Sequence, residues 1–320
     1  MPEKVNFKQK NNKLLGFISN NSTLVIFIVI LLTAVIALPK FRTLDNILTV
    51  IRQFSLITIV AAGQAVVLIS GGFDLSVGPI ATLASFTTVY LIMFRGLPVS
   101  LACIIGVLAG ALCGVINGLL VSRVRINPLI TTLSTSLLFQ GVLLVATKGW
   151  PIPELTMPFI FLGQGYFLKI PIPIYLMAIS VIIVSVLMSK TIYGRYVYAI
   201  GGNERTSSFV GINVANIKLL NYIICGSLAA VAGIILAARL GTAQIGSADT
   251  WSLPSIAAAV IGGISLAGGK GKVFNVVIGA ALLGIIGNIL VSFRVSSYWQ
   301  SLATGLILLI AVSIDSLKKN

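Results

Sequence analysis

Two groups of polar residues interrupt an otherwise apolar chain, and they suit different chemistry. The first centres on Asp74, in the run SGGFDLSVGP at residues 70–79. Gly71, Gly72, Gly78 and Pro79 break any helix there, so Asp74 and Ser76 fall in an irregular segment between apolar runs. A carboxylate beside lipid is costly and must face protein, water or a cation. Backbone groups freed by the break can serve as ligand contacts where they line a cavity. Two readings of Asp74 stand: it lines a solute path, or it caps a helix beginning near Ser76. Gln64, Asn117, Asn127, Gln140 and Asn288 are further polar groups in or near apolar runs. They suit either hydrogen bonds to a hydroxylated solute or helix-to-helix bonds. The second group is residues 191–216, TIYGRYVYAIGGNERTSSFVGINVAN, with Arg195, Glu204 and Arg205. Glycine turns and mixed charges suit registration on a partner surface outside the bilayer, or a merely solvated connector.

Chemistry on the chain itself is hard to assemble. There is no histidine, the commonest general base and metal ligand. Cys103, Cys113 and Cys225 lie in apolar runs without Cys-x-x-Cys pairing, so no disulfide or metal role is expected. GGKGKV at residues 268–273 lacks the spacing and terminal Ser/Thr of a phosphate-binding loop. No cofactor is expected on this chain, and any nucleotide-driven motor belongs on another polypeptide.

These residues must be held by membrane helices. The chain of 320 residues is 57% AVILMFWYC and 9% charged, with a mean hydropathy of +1.07. A soluble domain needs far more polar surface. A helix spans ~30 Å of hydrocarbon with ~20 apolar residues, whereas a barrel strand alternates inward and outward residues, which LVIFIVILLTAVIAL (residues 24–38) does not. The pattern predicts an all-α integral membrane protein with ten spans, at 20–38, 46–69, 79–94, 98–121, 129–146, 171–189, 218–238, 252–267, 273–292 and 297–314. Arg52 falls within the second, near an interface. The basic start, residues 1–19, precedes an apolar run too long for a cleaved signal and reads as a cytoplasmic segment before a retained first span.

Counting Lys and Arg on alternate sides places both termini in the cytoplasm, where basic residues collect. Residues 191–216 then lie inside the cell, and 148–170, with Trp150, Glu154 and several prolines, form an external loop. That external loop suits a cap on a pore, contact with an outside partner, or a plain connector. The net charge of +15 is explained by the same rule, with no nucleic-acid partner implied. Gly106, Gly110, Gly114 and Gly118 recur every fourth residue and predict a smooth ridge for close helix packing. A weak internal echo links GGFDLSVG (71–78) to GGISLAGG (262–269), and GVINGLLVS (114–122) to GIIGNILVS (284–292).

Taken in order, SGGFDLSVG, GRYVYAIGGNERTSSFVGINV and AAAVIGGISLAGGKGKV resemble the ribose-type permeases of bacterial ABC sugar importers, over nearly the whole chain. The resemblance implies a single permease domain in the bacterial inner membrane, normally paired with a second permease subunit. Its expected partners are two cytoplasmic ATPase subunits, which carry ATP and Mg, and an external sugar-binding protein. It implies an ATPase-coupling role for Gly194, Arg195, Gly201, Gly202, Asn203, Glu204 and Gly211. Asp74, Ser76, Gln64, Asn117 and Asn288 are the substrate-path candidates. Where many members carry a Tyr-Glu-Leu-Asp-like run, this chain has WSLP at 251–254, which leaves the sugar open. A nucleoside or signalling furanose is the alternative cargo within the family; an ion-coupled secondary transporter is the rival from another class, resting on Asp74.

Overall fold

The computed structural model describes residues 22–37 and 39–296, with scattered positions between 298 and 313. It is a helical bundle in which polar breaks are pulled to the centre and apolar faces are left outside. In chain order the helices are α1 (Ser22–Ala37), α2 (Leu44–Ile69), α3 (Val77–Arg95), α4 (Val99–Ser122), α5 (Pro128–Thr147), α6 (Met157–Gln164), α7 (Ile172–Lys190), α8 (Ile192–Gly202), α9 (Glu204–Phe209), α10 (Val214–Leu240), α11 (Ser252–Ile261) and α12 (Val276–Ser292). A two-stranded hairpin, β1 (Tyr166–Phe167) and β2 (Ile170–Pro171), precedes α7. Among the described residues seven helices are long and apolar enough to cross a membrane: α2, α3, α4, α5, α7, α10 and α12 with its leading turn.

The sequence reading of ten spans therefore changes in three places. The expected span 20–38 is carried by α1, only 16 residues long as described. The expected span 297–314 lies outside the continuously described residues, as does the segment 1–19. The expected span 252–267 is not one helix: α11 has 10 residues, ~15 Å of rise, half a hydrocarbon core. It ends in a glycine turn: Gly263 takes φ +90°, its N–H bonding Val260 O at 2.8 Å and Ile264 N bonding Ala259 O at 3.1 Å, while a Cβ on Gly262 would sit 2.7 Å from the Asn275 carbonyl oxygen. Helix α11 is preceded by irregular backbone at residues 241–248 and a 3-10 turn at Asp249–Trp251, pinned where Ala243 bridges Ile152 and where Ser252 Oγ donates to the Leu75 carbonyl at 2.8 Å.

Helix α2 is the pillar of the bundle. In its apolar window 78% of residues are buried, against 28% in α4, α5 and α7, so α2 faces protein and those three face lipid. Thr43 caps it, its hydroxyl accepting from Asn46 N. Helix α4 shows how one sequence serves both environments. Leu101, Ile104, Leu108, Leu112, Ile116 and Leu119 are exposed along one side. On the other side a Cβ at Gly110 would lie 2.6 Å from Gly226 O, one at Gly114 2.8 Å from Ile223 Cα, and one at Gly118 3.0 Å from Leu219 Cα. At Gly110, Gly114 and Gly118 the predicted glycine ridge is thus the seam between α4 and α10, whose Gly226 answers it, while Gly106 seats against Ala84 and Thr88 of α3. Where lipid tails are as apolar as side chains, such close backbone contact is what holds helices together.

The ridge gives a direct test. Gly114→Leu should overpack the seam and destabilise the fold by about 1–3 kcal/mol or prevent its assembly. Gly141→Ala, in α5 with nothing within 4 Å of the added methyl, should be neutral or stabilising by up to ~1 kcal/mol. Thermal unfolding of the two purified variants in one detergent compares them.

Candidate functional site

The break between α2 and α3 is built from side chains of four helices. Asp74 is fully buried, and its Oδ1 accepts from Ser76 N at 2.9 Å and Ser76 Oγ at 2.6 Å. Ser76 Oγ in turn accepts from Asn117 Nδ2 of α4 at 2.7 Å. Gln64 Nε2 of α2 donates to the Asp74 carbonyl oxygen. Tyr222 of α10 donates from its hydroxyl to the Phe73 carbonyl at 3.0 Å, and Ser252 of α11 to that of Leu75. Four of the five substrate-path candidates, Gln64, Asp74, Ser76 and Asn117, therefore form one hydrogen-bonded chain, all at 0% exposure. Asp74 fixes the turn just before α3 through its bond from Ser76 N; the N-cap position itself is Ser76, which makes no side-chain capping bond. Asn288 is elsewhere: it pairs with Asn46 through two amide bonds of 3.3 and 3.4 Å at the other end of α2.

The segment 191–216 folds into two short helices lying across the bundle ends. Thr191 Oγ1 accepts from Gly194 N at 3.3 Å and caps α8. Gly194 packs its Cα against the last turn of α7, where a Cβ would collide with Met188. Asn203 is extended (φ −160°) and caps α9, its Oδ1 accepting from Thr206 N at 2.9 Å. Gly211, at φ +87°, ends α9 in a conformation that disfavours side chains. Glu204 pairs with Lys218 at 2.5 Å, an exposed pair worth ~0.2–1 kcal/mol. Arg195, Gly202, Arg205 and Phe209 are exposed, Phe209 at 89%. Arg125, Asn127, Arg205 and Lys218 line a cavity of about 550 Å³ between this segment and the α4–α5 turn. Residues 123–127 and 191–216 thus share one face, the one the charge count assigns to the cytoplasm.

Sequence reasoning left open how these two regions communicate, and the structure joins them through backbone. Gly201 in the last turn of α8 sits directly on the Ile69 carbonyl oxygen at the end of α2, and a Cβ there would collide with it and with Gly269 N. The same Ile69 oxygen accepts from Gly269 N at 2.8 Å. A Cβ on Gly268 would lie 3.1 Å from Gly71 N. The echoing segments 71–78 and 262–269 therefore meet at Gly201. Tyr198 fastens the junction by donating to the Gly271 carbonyl at 2.7 Å, and Tyr193 ties α8 to α10 through Asn221 Oδ1 at 2.5 Å. Burial pushes both phenols up from the usual tyrosine range, so both remain protonated donors at physiological pH.

One polar group escaped the sequence reading. Asp249, just before α11, packs its backbone on Gly78 at the start of α3 and accepts from Gln140 Nε2 of α5 at 2.9 Å. Gln140 lies 12 residues into α5, ~18 Å along its axis. Asp249 and Thr250 beside it are exposed, as is Ser134 of α5 about 9 Å along the axis from Gln140. An acid two residues before an apolar run, in a chain with seven acids, was the available signal.

The loop 148–170 is an ordered brace. Arg52 Nη2 donates to Gly163 O at 2.6 Å, and Gln164 Nε2 to Arg239 O at 2.9 Å. Among the described residues no group of three or more His, Cys, Asp or Glu side chains gathers in a way suited to a metal ion.

The junction predicts a contrast between neighbouring glycines. Gly201→Ala should force α8 away from Ile69 and cost about 1–3 kcal/mol, while Gly202→Ala, with nothing within 4 Å, should leave the thermal unfolding midpoint nearly unchanged.

Comparison with known proteins fits this arrangement. The chain is 38% identical to the ribose import permease of Haemophilus influenzae over 293 residues, 90% of each chain. It is 40% identical to the ribose import permease of Bacillus subtilis over 295 residues, 92% of this chain and 91% of that one. To the L-arabinose transport system permease of Escherichia coli it is 36% identical over 300 residues, 92% and 90% of the two chains. No solved structure gives a significant match. Residues 46–312 match the family described as branched-chain amino acid transport system / permease component, and this multi-pass membrane chain belongs to that family.

Proposed function

We propose that the chain is the membrane permease subunit of an ATP-driven ABC importer for a monosaccharide such as ribose or a related sugar. The observation that carries this reading is the 36–40% identity, over about nine-tenths of the chain, to permeases for ribose and arabinose. An allose transport permease at 35% belongs to the same set. The proposed setting is a bacterial inner membrane, with two permease subunits, two cytoplasmic ATPase subunits carrying ATP and Mg, and an external sugar-binding protein.

Residues 191–216 are the proposed ATPase-docking segment. Phe209 is an apolar anchor held out from the bundle, and Arg195 and Arg205 are free-standing charges that can fix register on a partner. Motion imposed on α8 is passed through Gly201 to the end of α2 and so to the Asp74 break. The two packings that alternate access requires then differ at this backbone junction. The solute path is proposed to run past the exposed polar side of α5 and residues 244–250. Asp249, Gln140 and Thr250 there offer acceptors and donors of the kind that sugar hydroxyls need, and Asp249 stays clear of the buried Asp74 network.

Variants in the two regions separate the roles. Glu204→Lys or Gly202→Pro should insert normally but lower ATP-driven sugar uptake by roughly tenfold or more, with ATPase activity no longer tracking transport. Unchanged uptake in proteoliposomes containing the whole importer would refute the coupling role. Asp249→Asn should instead weaken uptake about tenfold, the value of one charge-assisted hydrogen bond, while ATPase stimulation by the loaded binding protein persists.

A further inference from the structure

The break between α2 and α3 holds more acceptors than its donors can serve. Gln64 Oε1, Asp74 Oδ2 and Asn117 Oδ1 are all buried without a hydrogen-bond partner. Their orientation is fixed by chemistry as well as by placement. Gln64 must turn its NH2 to the Asp74 carbonyl, which only accepts. Ser76 spends its hydroxyl proton on Asp74 Oδ1, so Asn117 must present its NH2 to Ser76 Oγ. Both amide oxygens are thereby left without a partner. The remaining donors are committed too: Ser76 N to Asp74 Oδ1, Tyr222 to Phe73 O and Ser252 to Leu75 O. The Cys225 thiol of α10 lies beside the carboxyl and offers a weak S–H donor; the Cys113 thiol of α4 faces the same region. Among the described residues the one salt bridge is Lys218–Glu204, so no lysine or arginine neutralises Asp74.

We infer that Asp74 Oδ2, Gln64 Oε1 and Asn117 Oδ1 hold a monovalent metal cation within this break. A carboxylate and two amide oxygens are hard donors suited to an alkali ion. One positive charge cancels that of Asp74 and leaves the apolar surroundings neutral, whereas a divalent ion would leave a charge uncompensated. A water molecule would serve two acceptors and leave the carboxylate charge in place. A proton on Oδ2 would cancel the charge and bridge to one amide oxygen, but would leave the other amide oxygen orphaned. Unwound helix breaks in membrane proteins are where side-chain and backbone oxygens converge on such ions. The ion has a structural consequence: it ties α2, α4 and the break into one unit beneath the Gly201 junction. The inference concerns this chain alone and stands whether or not the cargo is a sugar.

The test uses the full purified chain in lipid nanodiscs at near-neutral pH, unfolded thermally in choline chloride and then in sodium or potassium chloride at matched ionic strength. One alkali ion should raise the unfolding midpoint saturably, shifting the folding equilibrium ~100-fold at a hundred times its dissociation constant. Asp74→Asn, which keeps an Oδ1 acceptor for Ser76, should fold and lose that response. Gln64→Met should weaken the ion's affinity by roughly tenfold. Equal midpoints in choline, sodium and potassium would overturn the inference, as would an ion response that survives Asp74→Asn. Should Asp74→Asn fail to fold, the wild-type ion titration still decides. Infrared spectra provide a second decision: a protonated-carboxyl band in sodium that vanishes in Asp74→Asn would assign a proton in place of a metal ion and overturn it.

Discussion

Hydrocarbon offers no water to a broken helix, and the structure is organised around that constraint. Wherever backbone leaves a helix at membrane depth, its carbonyls and N–H groups must be satisfied by protein. The break at 70–76 is served by Gln64, Tyr222 and Ser252, each donating to a different carbonyl of the segment. The turn at 262–271 is served by Gly269 N on Ile69 O and by Tyr198 on Gly271 O. The two breaks touch where Gly269 N reaches Ile69 O, so each satisfies part of the other.

Close packing makes that sharing possible. Helices α4 and α10 meet along glycines, which brings Asn117 from one and Tyr222 from the other within reach of the same seven-residue segment. A bulkier seam would move both donors away and leave carbonyls unpaired in an apolar interior. The cost of a lost glycine therefore includes hydrogen bonds several residues away as well as steric strain. The leucine stripe on the far side of α4 tolerates much more, since lipid conforms to it.

On the proposed reading, the same architecture sets what can move. The junction of Gly201, Ile69 and Gly269 is made of main chain without intervening side chains, so displacement of α8 is not absorbed by rotamer changes. Tyr193 and Tyr198 fix α8 to α10 and to the turn before α12. By contrast α9 has its exposed aromatic tip, one surface ion pair and a capping glycine, and it is tied to the bundle chiefly through Glu204–Lys218. A rigid lever with a compliant tip is a suitable shape for receiving motion from a partner.

Much of this was legible in the sequence because it depends on local pattern. Apolar length predicted α2, α3, α4, α5, α7, α10 and α12; four-residue glycine spacing predicted the α4 ridge; the Lys and Arg distribution grouped residues 123–125 with 191–216. Residue types and order along the chain also pointed to the family. The half-length α11 was missed because the apolar run was carried through Gly262 and Gly263, although it is there that Gly263 turns to φ +90° and ends the helix. Asp249 was missed because its depth depends on a descending irregular segment that has no periodicity. Above all, the meeting of Gln64, Asp74, Ser76 and Asn117, and the seating of Gly201 on Ile69, join residues far apart in sequence. Local preference fixes which segments are helical and which are broken. Only the packing of those helices decides which breaks share donors, which oxygens are left over, and which backbone bears on which.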